Sequence, residues 1–280
     1  MPDSMPNSMP NSMPHSMPHS PSLRTLGRLA LIGAVAALIL WSFAGLRFDF
    51  SHTGTGVLRA GEFIAAMFPH KRADWSYDRA LTQTLWPKFL DTVQMAIAGT
   101  VTGALLAFPV SFLAARTGSI PRPISTLVKT GLNVSRAVPT IVYALIAVSA
   151  IGLGPPAGAT AIAFVTFISL AKLYGEALES VAPGPIEAVR ASGGNAAQVF
   201  IFGMLPQVFP LYLSTTLYSL EYNLKDSFII GIVGAGGLGQ ELQNAINLFK
   251  YLDAGVIIAL LIVLVNLVDY LSYRVRLVFS

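Results

Sequence analysis

Three charged residues, Glu221, Lys225 and Asp226, lie inside one strongly apolar stretch of the sequence. A charge within a membrane costs about 2.5–3.5 kcal/mol on insertion scales, so such residues mark functional sites by default. Glu221 and Lys225 are four residues apart, which places them on one face of a helix with the acid in the favourable position. Two interpretations stay open: the pair neutralises itself within its helix, or it lines a polar path with Asn223, where Lys225 offers a cation to an anionic solute.

Arg136 is a second cation close to an apolar run, in the string SRAVPT that spans residues 135–140. Pro139 in this string can bend a helix. The guanidinium of Arg136 either extends to the nearest membrane surface or lines the same polar path. Both interpretations stay open from the sequence.

A polar segment between two apolar runs, residues 176–206, has the pattern of two short helices joined by a glycine elbow. Pro185 can open the first helix, which places Glu187 in the first turn, where a carboxylate suits the helix dipole. Gly193 ends this helix, and Asn195 can cap the next one. Because long, structured loops usually have a role, we interpret the segment as a contact site for a partner protein.

The elements that must position these residues are membrane-spanning helices, so we predict an all-α integral membrane protein. Hydrophobic residues make up 54% of the 280 residues and charged residues 11%, against about 25% charged in soluble domains. A helix needs about 20 apolar residues to cross a bilayer. We count about six spans, with five as the alternative because the fourth run is short and the fifth is polar. The predicted spans are about 29–46, 91–115, 132–153, 157–174, 207–230 and 252–273.

The chain divides into three predicted parts. Residues 1–24 consist mainly of a four-residue repeat whose prolines prevent helix and sheet, so we expect a disordered tail. Residues 25–90 supply the first span and a loop on the outer side. Residues 91–280 form the membrane core, which includes the segment 176–206. Basic residues cluster beside the spans on one side, which predicts that both termini lie in the cytoplasm.

Several kinds of site are excluded. The absence of cysteine excludes a disulfide scaffold, thiol catalysis and a zinc–thiolate site. The sequence has no P-loop motif, and the glycine pattern at 234–239 lacks the preceding strand of a dinucleotide site, so we interpret it as a turn. The four histidines form no metal-binding pattern, and 18 basic residues are too dispersed for a nucleic-acid surface. We expect no cofactor, no metal, no nucleic-acid partner and no catalysis.

The segment 176–206 resembles the EAA signature of permeases from binding-protein-dependent ABC importers. That signature reads Glu-Ala-Ala, three residues, Gly, nine residues, Ile, one residue, Leu-Pro. Val189 stands in place of its second alanine and Gly203 in place of its isoleucine. The positions that match are Glu187, Ala188, Gly193, Leu205 and Pro206.

The wider string APGPIEAVRASGGN is most similar to the phosphonate branch of this family, as are GLGPPAG at 152–158 and VGAGGLG at 233–239. The resemblance covers about residues 85–276. In the family an acidic residue often follows the proline of the third span. Thr140 stands there in this chain, so a role for that acid does not carry over.

The resemblance implies a permease subunit of an ATP-driven importer in a bacterial inner membrane, moving phosphonate or a related phosphorus oxyanion such as phosphite or phosphate. It implies a homodimer surrounded by membrane lipid, a separate cytoplasmic ABC ATPase that hydrolyses ATP, and a periplasmic substrate-binding protein. The segment 176–206 would contain the coupling helix that docks on the ATPase. The implied coupling residues are Glu187, Ala188, Arg190, Gly193, Leu205 and Pro206. The implied residues of the translocation path are Arg136, Glu221, Asn223 and Lys225.

Three alternatives remain. The first is a permease of the same architecture for another small solute, such as methionine or another anion. The second is a membrane enzyme acting on lipid phosphates, which would need a cluster of histidine, aspartate and arginine that the sequence does not show. The third is an ATP-independent channel or carrier, which would leave the segment 176–206 without a partner.

Overall fold

The protein is helical throughout the part that the computed structural model describes, residues 23–45, 53–68, 79–115 and 121–279, and these residues contain no strand. The predicted tail lies outside these residues except for its last two positions. The helices are α1 (Leu23–Gly45), α2 (Thr53–Ala66), α3 (Arg79–Ala114), α4 (Arg122–Arg136), α5 (Thr140–Ile151), α6 (Pro155–Glu179), α7 (Pro183–Ala191), α8 (Ala196–Gln198), α9 (Leu205–Ile230), α10 (Gly237–Asn247) and α11 (Tyr251–Phe279). Two π-helical turns, Val199–Met204 and Gly231–Ala235, flank α9.

The membrane spans agree with the expected number. Among the described residues, 5 helices are long and apolar enough to cross a membrane, or up to 6 if the bent pair α4–α5 is one span. The long apolar segments lie in α1, α3, α6, the continuous stretch Ala196–Ala235, and α11. The prediction of an all-α membrane protein with about six spans is therefore confirmed.

The third predicted span, about 132–153, contains the bend that Pro139 indicated. It is broken at residues 137–139, where α4 and α5 meet at 87°. Pro139 explains the break because it has no backbone N–H and keeps the preceding residue out of the helical region. The hydroxyl of Tyr143 donates to the carbonyl of Ser135 at 2.8 Å and so bridges the bend.

The chain forms two compact units, residues 1–60 and 61–280. Within the first unit, α1 is an apolar helix whose mean hydropathy is 1.8 over Gly27–Gly45. The second unit contains α3 to α11 and all the residues discussed below. The predicted boundary at residue 90 differs from the division after Ala60, and α3 continues through residue 90 as one helix.

The core of the second unit is the close packing of α3 against α6, which small residues allow. A Cβ atom added at Gly99 would lie 2.5 Å from Cγ2 of Ile162, and one at Gly103 would lie 2.7 Å from the carbonyl oxygen of Ala163. At one end of α9, the turn at 231–237 brings the chain back into α10. Gly234 and Gly236 in this turn have φ values of 99° and 88°, which is the region that glycine adopts readily.

Candidate functional site: an exposed elbow and a polar cavity

The first candidate site, which we call the elbow segment, comprises residues 183–204 between α6 and α9. Its first helix begins at Pro183, two residues before the predicted start at Pro185. Both prolines are tolerated because the first N–H groups of a helix have no acceptor within it. Glu187 therefore lies beyond the first turn, which contains no acidic residue. The predicted contact of Glu187 with the helix dipole is wrong, and its carboxylate is exposed instead.

The glycine elbow has the predicted geometry. Gly193 has a φ of 81°, and its N–H donates to the carbonyl of Arg190 at 2.9 Å. The next helix begins with a capping box, as predicted for Asn195. Its Oδ1 accepts from the Gln198 N–H at 2.9 Å, and its own N–H donates to Oε1 of Gln198 at 2.8 Å. These bonds fix the direction of the chain on both sides of the turn.

Gly203, a departure from the EAA signature, lies where α7 comes closest to the π-helical turn. A Cβ atom at Gly203 would lie 3.2 Å from Cα of Ile186, so the missing side chain allows α7 to fold back. Gln207 on α9 holds the two parts together. Its Oε1 accepts from the Ala182 N–H at 3.1 Å, and its Nε2 donates to the Gly203 carbonyl at 2.6 Å. The elbow segment is therefore a stiff, folded unit.

The elbow segment presents a mixed polar and apolar surface, and α7 contains no buried residue. The predicted coupling residues Glu187, Ala188 and Arg190 are exposed. Two apolar side chains of the π-helical turn are also exposed, Ile201 by 48% and Phe202 by 66%. Of the other predicted coupling residues, Gly193 in the elbow segment is exposed, and the first two residues of α9 are half-buried (Leu205) and exposed (Pro206).

The second candidate site is a cavity of about 560 Å³ between the bend of α4–α5, the middle of α6 and the middle of α9. Its polar lining residues include one arginine, one aspartate, one asparagine and several hydroxyl groups. They are Ser135, Arg136, Thr140, Tyr143, Thr166, Ser169, Tyr218, Ser219, Tyr222, Asn223 and Asp226. The bend between α4 and α5 forms one wall of this cavity, because Ser135, Arg136, Val138, Pro139 and Thr140 all line it.

Two of the predicted path residues line the cavity. Arg136 lies on its wall and makes no ion pair with any residue that the structure describes. Asn223 is 3% exposed, and its Nδ2 donates to Oγ1 of Thr100 at 2.8 Å and of Thr166 at 2.7 Å. Asn223 therefore ties α3, α6 and α9 together at the cavity wall.

The other two predicted path residues lie next to the cavity and not in its lining. Nζ of Lys225 is 3.4 Å from Oε1 of Glu221, which agrees with the predicted pair on one helix face. Oε2 of Glu221 is also 3.4 Å from Nη2 of Arg276 on α11. Glu221 thus lies between two cations, so Lys225 shares its counter-ion and keeps 49% of its side chain exposed.

The cavity contains an acid that the sequence reasoning had noted as a charge without assigning it to the site. Asp226 is 6% exposed, lies beside Thr140, and its Oδ2 has no hydrogen-bond partner among the described residues. The signal was available, because Tyr222, Asn223 and Asp226 fall within about one helical turn. Arg136, which lines the same cavity, is far away in the sequence, so the sequence could not assign it and Asp226 to one site.

Comparison with known proteins decides the family. Residues 99–276 match the family described as the binding-protein-dependent transport system inner membrane component. The chain belongs to this family. The permease is therefore a multi-pass inner-membrane subunit of a transport system and not an enzyme, and family membership implies a binding protein and an ATPase as partners.

Relatives of the permease cover most of its length. It is 32% identical over 254 residues to the phosphite transport system permease protein PtxC of Stutzerimonas stutzeri. This alignment covers 90% of this chain and 89% of the relative. It is 36% identical over 197 residues to the phosphate-import permease protein PhnE of Mycolicibacterium smegmatis. This second alignment covers 70% of this chain and 37% of that longer relative.

A solved structure shares the fold of the permease. An inward-facing conformation of the MetNI methionine ABC transporter superposes with a TM-score of 0.65. The match covers 72% of this chain and 99% of the solved chain at 23% sequence identity. The architecture of the second unit is thus that of an ABC importer permease.

Proposed function

We propose that the permease carries phosphonate or a related phosphorus oxyanion, such as phosphite or phosphate, into a bacterial cell across the inner membrane. The observation that carries this proposal is the cavity with the unpaired guanidinium of Arg136. An arginine is always charged and presents several N–H donors in a fixed fork, which suits a tetrahedral oxyanion. The names of the two relatives, a phosphite and a phosphate permease, support the same class of solute.

The translocation path is completed by a second copy of the chain. This part of the proposal rests on one exposed face of α9 that includes Tyr218, Tyr222 and Lys225, exposed by 58%, 50% and, for the lysine side chain, 49%. A lysine near the middle of a span costs about 2.5–3.5 kcal/mol when it faces lipid. A homodimer that joins this face to its copy places Lys225 and Glu221 at the path together with Arg136 and Asn223.

The elbow segment docks on a cytoplasmic ATPase and transmits its closure to the spans. Exposed Glu187 and Arg190 provide the polar contact, and exposed Ala188, Ile201 and Phe202 provide apolar area. Gly193 sets the angle between the two helices, while Leu205 and Pro206 connect the segment to α9. With the elbow segment on the cytoplasmic side, both termini are cytoplasmic, and the periplasmic binding protein approaches the end that holds the 231–237 turn.

A second candidate solute is an amino acid such as methionine. The shared fold with the methionine transporter makes it relevant, and one feature of the cavity favours it. Arg136 and Asp226 both line the cavity, and an acid with a base suits a zwitterion. The phosphorus oxyanion stays the primary proposal because two relatives above 30% identity are named for such solutes.

Whole-cell uptake separates the two solutes. The chain is expressed with its cognate ATPase and binding protein in a strain that lacks its own phosphonate and methionine importers. We expect accumulation of radiolabelled methylphosphonate and none of methionine above the empty-vector control. Accumulation of methionine alone would overturn the proposed solute class and leave the importer assignment intact.

A further inference from the structure

The acid in the cavity poses a physical problem for an anion path. A buried carboxylate repels an anion and is costly unless a donor satisfies it. Asp226 is 6% exposed, and its Oδ2 has no hydrogen-bond partner among the described residues. The same cavity holds Arg136, which has no ion-pair partner within the described part of the chain. The carboxylate of Asp226 and the guanidinium of Arg136 thus belong to residues that line a single cavity.

Phosphorus oxyanions carry the complementary groups. The second ionisation of a phosphoryl group falls near neutral pH, so a substantial fraction keeps one P–OH beside its charged oxygens. A sulfonate of the same shape keeps no proton and offers acceptors only. A solute that bears both O⁻ and OH can accept from Arg136 and donate to Asp226 at once, whereas a fully ionised solute adds no donor to the hydrogen bond that Thr140 already offers the carboxylate.

We propose that Asp226 is a specificity-determining residue that selects oxyanions which still carry a proton, by accepting a hydrogen bond from their P–OH group. This inference rests on the proposed function, since it assumes an oxyanion in the cavity. It excludes sulfate-like and sulfonate-like anions through an unsatisfied buried carboxylate and not through size. Neutral hydroxyl groups nearby, such as those of Thr140 and Tyr222, are compatible with either kind of anion and do not discriminate.

The position next to Asp226 offers a matched way to move the acid. Thr140 lies beside Asp226 across the gap between α5 and α9, and both residues line the cavity. A carboxylate at residue 140 would therefore occupy nearly the same place as the present one. Selectivity that depends on the carboxylate itself should survive this relocation, whereas a structural role of Asp226 within α9 should not.

The test measures binding of three probes to the purified permease–ATPase complex in the absence of the binding protein, by isothermal titration near neutral pH. Methylphosphonate has a P–OH group, methanesulfonate has neither P–OH nor amine, and taurine has an amine without P–OH. For the wild type we expect methylphosphonate to bind at least about tenfold more tightly than the other two, as one hydrogen bond to a charged group allows.

The variants decide the inference. In Asp226→Asn the amide can donate to an ionised oxygen, so we expect the preference for methylphosphonate over methanesulfonate to fall to about twofold or less. In the double variant Asp226→Asn with Thr140→Asp the preference should return, and this variant is decisive even if the single one assembles poorly. An unchanged preference in Asp226→Asn, a lasting loss in the double variant, or tight taurine binding that depends on Asp226 would each overturn the inference.

Failure of the inference and failure of the proposed function give different results. If the wild-type system takes up methylphosphonate but Asp226→Asn keeps its selectivity, only the inference is wrong. If the wild-type complex does not bind methylphosphonate and its whole-cell system imports methionine, the proposed solute class itself is wrong, and the inference falls with it.

Discussion

The elbow segment and the polar cavity are built in opposite ways. The elbow segment is continuous in sequence, lies on the surface and is held by backbone bonds, a capping box and the Gln207 clamp. The cavity is walled by residues from α4, α5, α6 and α9 and contains buried polar groups with long-range partners. The difference separates two tasks: contact with a partner needs backbone shape, and handling of a solute needs side-chain chemistry.

The sharpest test of this separation is a change that damages only the backbone of the elbow. Gly193→Pro forces φ to about −65° where the native value is 81°, a conflict that costs about 3 kcal/mol or more. We expect uptake and solute-stimulated ATPase activity to fall about a hundredfold. Binding of methylphosphonate and insertion into the membrane should stay normal, because the cavity lies elsewhere.

Asparagine at the same position is the matched control, since it tolerates positive φ and has open space around its Cβ at residue 193. Gly193→Asn should retain most of the uptake. Normal uptake by Gly193→Pro at normal expression would show that the elbow is an ordinary connection.

The converse change removes the cation of the cavity and leaves the elbow intact. Arg136→Ala deletes a charge-assisted contact, so we expect methylphosphonate uptake to fall about tenfold or more. The uptake rate of Arg136→Lys should lie between that of the wild type and that of Arg136→Ala, because lysine keeps the charge but loses the planar fork. The measurement is initial uptake rate, with ATPase co-purification as the control that should not change. Undiminished uptake by Arg136→Ala would remove the cavity from the path.

Asn223 tests whether the cavity wall depends on long-range bonds. Asn223→Ala leaves the buried hydroxyls of Thr100 and Thr166 without their shared donor, so the free energy of unfolding should fall by about 2 kcal/mol. Ser227→Ala is the matched control, because Ser227 is equally buried on α9 but bonds only to the Leu224 carbonyl of its own helix. Thermal unfolding of the detergent-solubilised protein compares the two variants. Equal losses would show that the three-helix connection adds nothing.

The smallest expected effect concerns an ion pair between α4 and α6, whose helices each contribute residues to the cavity. Nζ of Lys129 on α4 lies 2.6 Å from Oε1 of Glu179, the last residue of α6 before the elbow segment. Both side chains are partly exposed, so the coupling free energy should be about 0.2–1 kcal/mol. A double-mutant cycle with Lys129→Met and Glu179→Gln measures it by thermal unfolding. The charge-swapped pair should recover part of the loss, and a coupling of zero would show that this ion pair does not stabilise the packing of α4 against α6.

Local signals in the sequence predicted the elbow segment well. Proline, paired glycines and Asn195 act on their own neighbours, so their effect can be inferred without knowing the rest of the fold. The start of α7 was misplaced by two residues because Pro183 and Pro185 are both acceptable at a helix N-terminus. The role of Gly203 was also missed, since its value is the close approach of Ile186.

The cavity could be predicted only in part, for a physical reason. Arg136 and Asn223 were identified as polar residues in apolar runs, which is a one-dimensional signal. Pro139 indicated a bend in the third span but not its size of 87°, because the size of a bend depends on what packs beside the helix. Asp226 and Arg136 line one cavity only because the fold brings α4, α5, α6 and α9 around it, and Arg276 on α11 lies 3.4 Å from Glu221. No pattern in the sequence predicts that these residues lie close together.

The most direct test of the central claim is ATP-driven transport in a purified system. Proteoliposomes that contain the permease and its ATPase, supplied with the binding protein, are assayed for radiolabelled phosphite and methionine with and without ATP. We predict that phosphite accumulates only when ATP is present, and that Gly193→Pro abolishes this accumulation. Phosphite entry that does not depend on ATP, or ATP-driven entry of methionine in place of phosphite, would contradict the account.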